Sequence, residues 1–89
     1  MQKIVINSCY GGFGLSEQAC QILGIKQIDS RYIKRDNPEL IKLMEEKGSE
    51  FCSGKWASLK VVEIPDGVEW EIEEEDGDEW VSEVHRTWR

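Results

Sequence analysis

Apolar and polar residues follow two different rhythms along this chain. The run KIVIN, from Lys3 to Asn7, has a β-branched centre, Ile4-Val5-Ile6, which predicts a short buried strand. After a glycine-rich stretch, Leu15, Ala19, Ile22 and Leu23 recur at i, i+4, i+7 and i+8, the spacing of a helix with an apolar stripe facing a sheet. Ser16 stands where the N-cap belongs, Glu17 suits the positive end of the helix dipole, and Gly24 is placed to close the helix. A second helix is expected to start at Asn37-Pro38-Glu39, with Asn37 as cap and Pro38 at the first helical position. Its inner side reads Leu40, Leu43, Met44 and Lys47, and Gly48 ends it. Residues 26–36 are mixed and leave room for a strand, while Ser49 to Ser58 reads as a loop carrying Phe51 and Trp56.

The rhythm then changes to alternation. Leu59 to Ile64 is a predicted strand and Pro65-Asp66-Gly67 a tight turn, with Pro at its favoured position. Val68, Trp70 and Ile72 alternate with Glu69, Glu71 and Glu73, the pattern of a half-buried antiparallel strand. Trp80, Val84 and Trp88 fit both helical spacing and alternation, and turn arithmetic favours a strand. A loop Glu75-Asp76-Gly77, with Gly77 left-handed, sets Ile72 across from Trp80, Trp70 from Ser82 and Val68 from Val84, so the large apolar residues share a face. An Asp76-Gly77 turn alone would set Trp80 opposite Glu73 and split the faces. The predicted fold class is therefore α+β: a small two-layer sandwich, a mainly antiparallel sheet with two helices on one face and a C-terminal acidic β-hairpin. The order is β-α-(β)-α-β-β-β, with the pairing of the first strand open.

Length and composition narrow the picture. Eighty-nine residues suit one small domain, which buries only roughly 60–65% of its unfolded surface and gains from self-association, so a homo-oligomer is expected. A hydrophobic fraction of 39% with four Trp argues for a folded core. No apolar run approaches the roughly 18 residues of a membrane span, and the N-terminus lacks the pattern of a signal peptide. Three cysteines, Cys9, Cys20 and Cys52, form no CxxC pair and suit a reducing compartment; no metal site is expected. Cys20 and Cys52 read as small buried hydrophobes. These features point to the cytoplasm. The net charge of −7 is unevenly spread: residues 1–62 carry seven acids against nine bases, and residues 63–83 carry eleven acids and no base. Direct nucleic-acid binding through the second half is disfavoured by repulsion, whereas the first half can hold a small anion.

The stretch NSCYGGFGLSEQA is the place to look for a site. A strand, then glycines, then a helix start is the general recipe for an anion cradle, although CYGGFGLS matches neither the Walker pattern nor GxGxxG. The bland alternative is a turn that needs left-handed residues. Tyr10 and Phe13 either close a core or stack on a flat ligand. The candidate ligand-binding set is Asn7, Ser8, Cys9, Tyr10, Gly11, Gly12, Phe13 and Gly14, joined by Arg31 and by His85, Arg86 and Trp88 near the C-terminus. Arg86 can fork onto a phosphate and Trp88 can stack on a base. A Cys9 nucleophile with His85 as base is the enzymatic alternative, and no cofactor is implied.

KIVINSCYGGFGLSEQA, LKVVEIPDGVEWEIEEEDG and EWVSEVHRTW together resemble a family of short uncharacterised proteins encoded by tailed bacteriophages and their prophages. The sequence departs from the commoner family pattern at EEEDGDEW, where an aromatic usually precedes the Asp-Gly. The resemblance implies a viral gene product acting in the bacterial cytoplasm and supplies no catalytic residues. Three functions follow as expectations. The first is a module binding a nucleotide-like small molecule, by analogy a counter-defence sponge that sequesters a host immune signal. The second is a protein-binding inhibitor, whose acidic face imitates nucleic acid and blocks a host enzyme. The third is a small hydrolase using Cys9 or His85.

Overall fold

Two β-branched runs far apart in sequence pair to form the sheet on which the rest is built. The computed structural model describes residues 1–84. Strand β1 (Gln2–Asn7) lies antiparallel to β2 (Leu59–Ile64), with Val5 opposite Val61 and Asn7 opposite Leu59. This settles the partner of the first strand. Val5 and Leu59 point to the helical side, where Leu15, Ala19 and Cys20 meet Leu40, Leu43, Met44 and Cys52 in one buried cluster. Ile4 and Ile6 point the opposite way and are also buried, and the C-terminal hairpin packs against β1 through its second strand.

The helix boundaries follow their caps. Helix α1 (Glu17–Leu23) begins at Ser16, whose hydroxyl accepts from the Ala19 N–H, and ends at a left-handed Gly24. Of the expected stripe, Leu15 and Ala19 are buried and Leu23 packs against the core, whereas Ile22 is 56% exposed and Cys20 is buried in its stead. Helix α2 (Pro38–Cys52) is capped by Asn37, whose side chain accepts from Glu39 and Leu40 N–H groups. Leu40, Leu43 and Met44 face the core as expected, but Lys47 is exposed. Gly48 interrupts the helix at φ 86°, and one further helical turn follows where a loop was predicted. Between the two helices, Gln27–Tyr32 forms a 3-10 helix in place of the bracketed strand. Its charged and apolar residues have no alternation for a sheet to use.

The hairpin corrects the sequence reading. Strands β3 (Trp70–Glu75) and β4 (Asp78–Glu83) pair so that Glu75 faces Asp78, Ile72 faces Val81 and Glu73 faces Trp80. The connection is the two-residue turn Asp76-Gly77, with φ of 53° and 92°, rather than the expected three-residue loop. Both residues are left-handed, the geometry that matches strand twist in a short hairpin. The strand assignment for the final segment holds through Glu83, but the register moves Trp80 to the outer face, where it is 43% exposed, and turns Glu79 inward. Counting apolar residues on one face failed because the inward position is filled by a carboxylate with partners waiting.

Those partners are specific. Glu79 is 9% exposed and takes both arms of the Arg35 guanidinium, at 2.6 and 2.9 Å. Its Oε1 also accepts the Asn7 N–H at 2.8 Å. The neighbouring amide on that edge, Val5 N–H, donates to the Arg35 carbonyl at 2.8 Å. Arg35 and Glu79 thus satisfy the Val5 and Asn7 amides, on the edge of β1 that β2 does not use. Glu79→Ala is expected to cost about 3–5 kcal/mol, because it strands a largely buried guanidinium. Glu71→Ala on the exposed face should stay within about 0.5 kcal/mol of the parent. Urea unfolding followed by circular dichroism measures both.

Candidate functional site

The glycine-rich segment is stitched into its surroundings from three sides. Asn7, fully buried, donates through Nδ2 to the carbonyls of Cys9 and Gly77, each at 2.7 Å, and accepts through Oδ1 from Ser58 N–H at 2.8 Å. Ser8 donates to the Ser58 carbonyl through both its amide and its hydroxyl, at 2.7 and 2.9 Å. The Cys9 thiol donates to the Trp56 carbonyl at 3.0 Å. Each of these groups faces a protein partner.

Two glycines are required by close approach. A Cβ on Gly11 would overlap the Trp56 carbonyl, and a Cβ on Gly77 would lie 2.5 Å from Gly12 N and 2.7 Å from the Tyr10 carbonyl. The loop is therefore held between the Trp56 segment and the hairpin turn. Gly12 has open space around it and is left-handed at φ 89°, the conformation the turn reading anticipated. At the helix that follows, the cap is engaged within the protein. The Ser16 N–H donates to the Cys52 carbonyl, the Ala19 N–H donates to the Ser16 hydroxyl, and that hydroxyl donates to the Phe51 carbonyl.

What remains open lies beside the loop. A cleft of about 240 Å³ is bounded by Gly11 to Leu15, by Gln27, Ser30 and Arg31 of the 3-10 helix, and by Gly54 to Ala57. It gathers Gly11, Gly12, Phe13, Gly14 and Arg31 from the sequence-derived set. It does not gather Asn7, Ser8 or Cys9, which serve the packing, or Tyr10, which is 75% exposed and lies outside it. His85, Arg86 and Trp88, including the proposed Cys9–His85 pair, lie outside the described residues. Sequence reasoning missed Lys55 and Trp56 as site residues. Their signal was a second glycine, Gly54, followed directly by a cation and a ring, but their place beside the first loop follows from tertiary pairing.

The electrostatics of the cleft differ from those of the whole chain. None of its described lining residues is acidic, and Arg31 and Lys55 are both exposed at it. Trp56 is 70% exposed, with the Lys55 ammonium 5.1 Å from its ring centroid. Phe13 forms part of the wall, and the Arg35 guanidinium carbon stacks 3.6 Å from its ring centroid. Glycine backbone on one side, two cations and an exposed indole can bind an anion that carries a flat ring. A wider hollow of about 670 Å³ beyond Gly54 is lined by Lys47, Glu50, Ser49 and Ser53, but both hydroxyls are engaged with Leu59 backbone. Among the described residues no helix is long and apolar enough to cross a membrane.

The three thiols should separate by reactivity. Cys20 and Cys52 are buried in the core, and burial pushes both thiols above their ordinary value, with the Glu17 charge adding to the effect at Cys20. Cys9 is only partly buried. Ellman's reagent is expected to titrate Cys9 in the native protein and all three thiols after unfolding. The folded chain holds these two protons where the unfolded chain, near the ordinary thiol value of 9.0, loses them. Their contribution to stability is thus full below that pH and declines above it, which alkaline urea titrations measure.

No family model, curated protein or solved structure matches this chain.

Proposed function

We propose that the protein binds a small nucleotide-like anion in the cleft between the glycine loop and the 3-10 helix, and acts by capture rather than by chemistry. One observation carries this reading: in a chain of net charge −7, the cleft is free of acids and pairs Arg31 and Lys55 with an exposed Trp56. Arg31 offers a planar fork to phosphate, Lys55 a mobile charge, and Trp56 a face for a base. Glycines along one wall permit backbone approach that side chains would block. At about 240 Å³ the cleft takes a base or a sugar-phosphate unit, with the rest of a larger ligand lying across the mouth. The resemblance to phage-encoded proteins supports a counter-defence sponge in the bacterial cytoplasm that removes a host nucleotide signal. Such a protein needs affinity and copy number only.

A second reading has its own observation. Glu71, Glu73 and Glu75 stand exposed on the outer face of the hairpin around a half-exposed Trp80. An acidic face with a ring at its centre suits a basic groove on a host enzyme, with fast and salt-sensitive association.

Thermal shift with cyclic and linear nucleotides and ADP-ribose separates the two. A ligand present at about 100 times its Kd should stabilise the wild type by roughly 2.7 kcal/mol. Arg31→Glu, Lys55→Glu and Trp56→Ala are expected to abolish the shift without changing the melting temperature of the free protein by more than about 2–4 °C. Under capture, Glu71→Gln, Glu73→Gln and Glu75→Gln together leave the shift intact. Under inhibition, no nucleotide shifts the wild type, and the triple change removes binding to the host enzyme.

A further inference from the structure

The Arg35 guanidinium does two things at once. It forks onto Glu79 of the hairpin, and its carbon lies 3.6 Å from the centroid of the Phe13 ring, which is part of the cleft wall. Hairpin and cleft wall therefore share one charged plane. A second link runs through the backbone. The Gly77 carbonyl accepts from Asn7 Nδ2, and Gly77 sits so close to the loop that a Cβ there would lie 2.5 Å from Gly12 N. The residues that shape the cleft are thus linked to the hairpin at two points, indirectly at the Phe13 ring through the Arg35 guanidinium and directly at Gly12.

We infer that the acidic hairpin controls the cleft: its docked turn and the Arg35–Glu79 pair hold Phe13 and the glycine wall in the binding shape, so loop and hairpin open as one unit. Arg35 and Glu79 are positioning residues of the site, since neither lines the cleft itself. The link is reciprocal. A ligand that needs the closed wall tightens the hairpin by the same factor by which docking tightens the ligand. The role of the cleft rests on the capture reading above, whereas the shared opening of loop and hairpin does not.

A competing arrangement makes the inference testable. The loop is also tied to the Ser58 and Trp56 segment, through Ser8 N–H on the Ser58 carbonyl and the Cys9 thiol on the Trp56 carbonyl. If those ties suffice, the hairpin can leave without disturbing the loop. The Ser8 amide and the Cys9 thiol are suitable reporters because their acceptors belong to neither β3 nor β4.

The experiment is native-state hydrogen exchange on the full chain, with Cys9 labelling in parallel and AMP as the ligand probe. In the wild type, the Ser8 amide and the β3–β4 amides are expected to share one opening free energy across low urea. Glu79→Gln and Gly77→Ala should speed exchange of both segments and Cys9 labelling by a common factor, about tenfold or more. Exchange that quickens in the hairpin while Ser8 and Cys9 keep wild-type rates overturns the inference, as do distinct opening energies in the wild type. The wild-type measurement decides the matter even if a variant fails to fold. If AMP binds the wild type, its Kd should weaken about tenfold in Glu79→Gln, a loss of roughly 1.4 kcal/mol, and equal affinity overturns the positioning role. If AMP does not bind the wild type, the capture of this nucleotide falls and the exchange result still judges the coupling.

Discussion

A carboxylate facing inward governs the architecture of this small protein. Glu79 occupies a position where a strand of alternating pattern should present an apolar side chain, and it is 9% exposed. Burying a charge costs several kcal/mol unless it is paired and its remaining acceptors are used. Here both conditions are met, by the two arms of Arg35 and by the Asn7 amide. The same three groups join the start of the chain, the segment before α2 and the C-terminal hairpin, which are far apart in sequence. The Arg35 carbonyl and the Glu79 carboxylate also accept from the Val5 and Asn7 amides, on the edge of β1 that β2 does not use. Among the described residues, these two acceptors stand where a further strand would pair.

The glycine loop takes its character from that arrangement. Its glycines look like a ligand cradle in the sequence, and two close approaches account for much of their use. Gly11 admits the Trp56 carbonyl, and the backbone around Gly12 admits the hairpin turn at Gly77. At the start of helix α1 the Ser16 hydroxyl already serves the Ala19 amide. Self-packing and ligand capture do not exclude each other. A loop pinned by its own chain on two sides presents a stiff wall to the cleft, and stiffness lowers the entropy a bound ligand must overcome.

Charge is partitioned to match. The acids of residues 63–83, apart from Glu63 in β2, lie on the hairpin and the turns around it, while the cleft beside the loop is lined by Arg31 and Lys55 without a carboxylate among the described residues. At physiological ionic strength, fields from exposed charges fade over about 8 Å, so the local lining decides what the cleft attracts, more than the net charge of the chain. The proximal exception is Glu79, whose charge is answered by Arg35 before it reaches the cleft.

Local signals carried most of the elements. Strands β1 and β2, the caps at Ser16 and Asn37, the stop at Gly24, the break at Gly48, and the buried Cys20 and Cys52 were all legible, because each depends on residues within a turn or two of itself. The helical turn after Gly48 was not. Arg31 and the glycines of the cleft were legible for the same reason. The hairpin register was not. An apolar tally along β3 and β4 cannot know that Arg35, more than forty residues away in the chain, offers an inward Glu79 a bidentate partner. Lys55 and Trp56 were missed likewise, since only the β1–β2 pairing brings their loop beside Gly11. By itself the sequence determined periodicity, capping and charge segregation, which are short-range properties. Tertiary structure alone decided which polar groups could be buried and which loops would meet, because desolvation and close approach depend on partners that are neighbours only after folding.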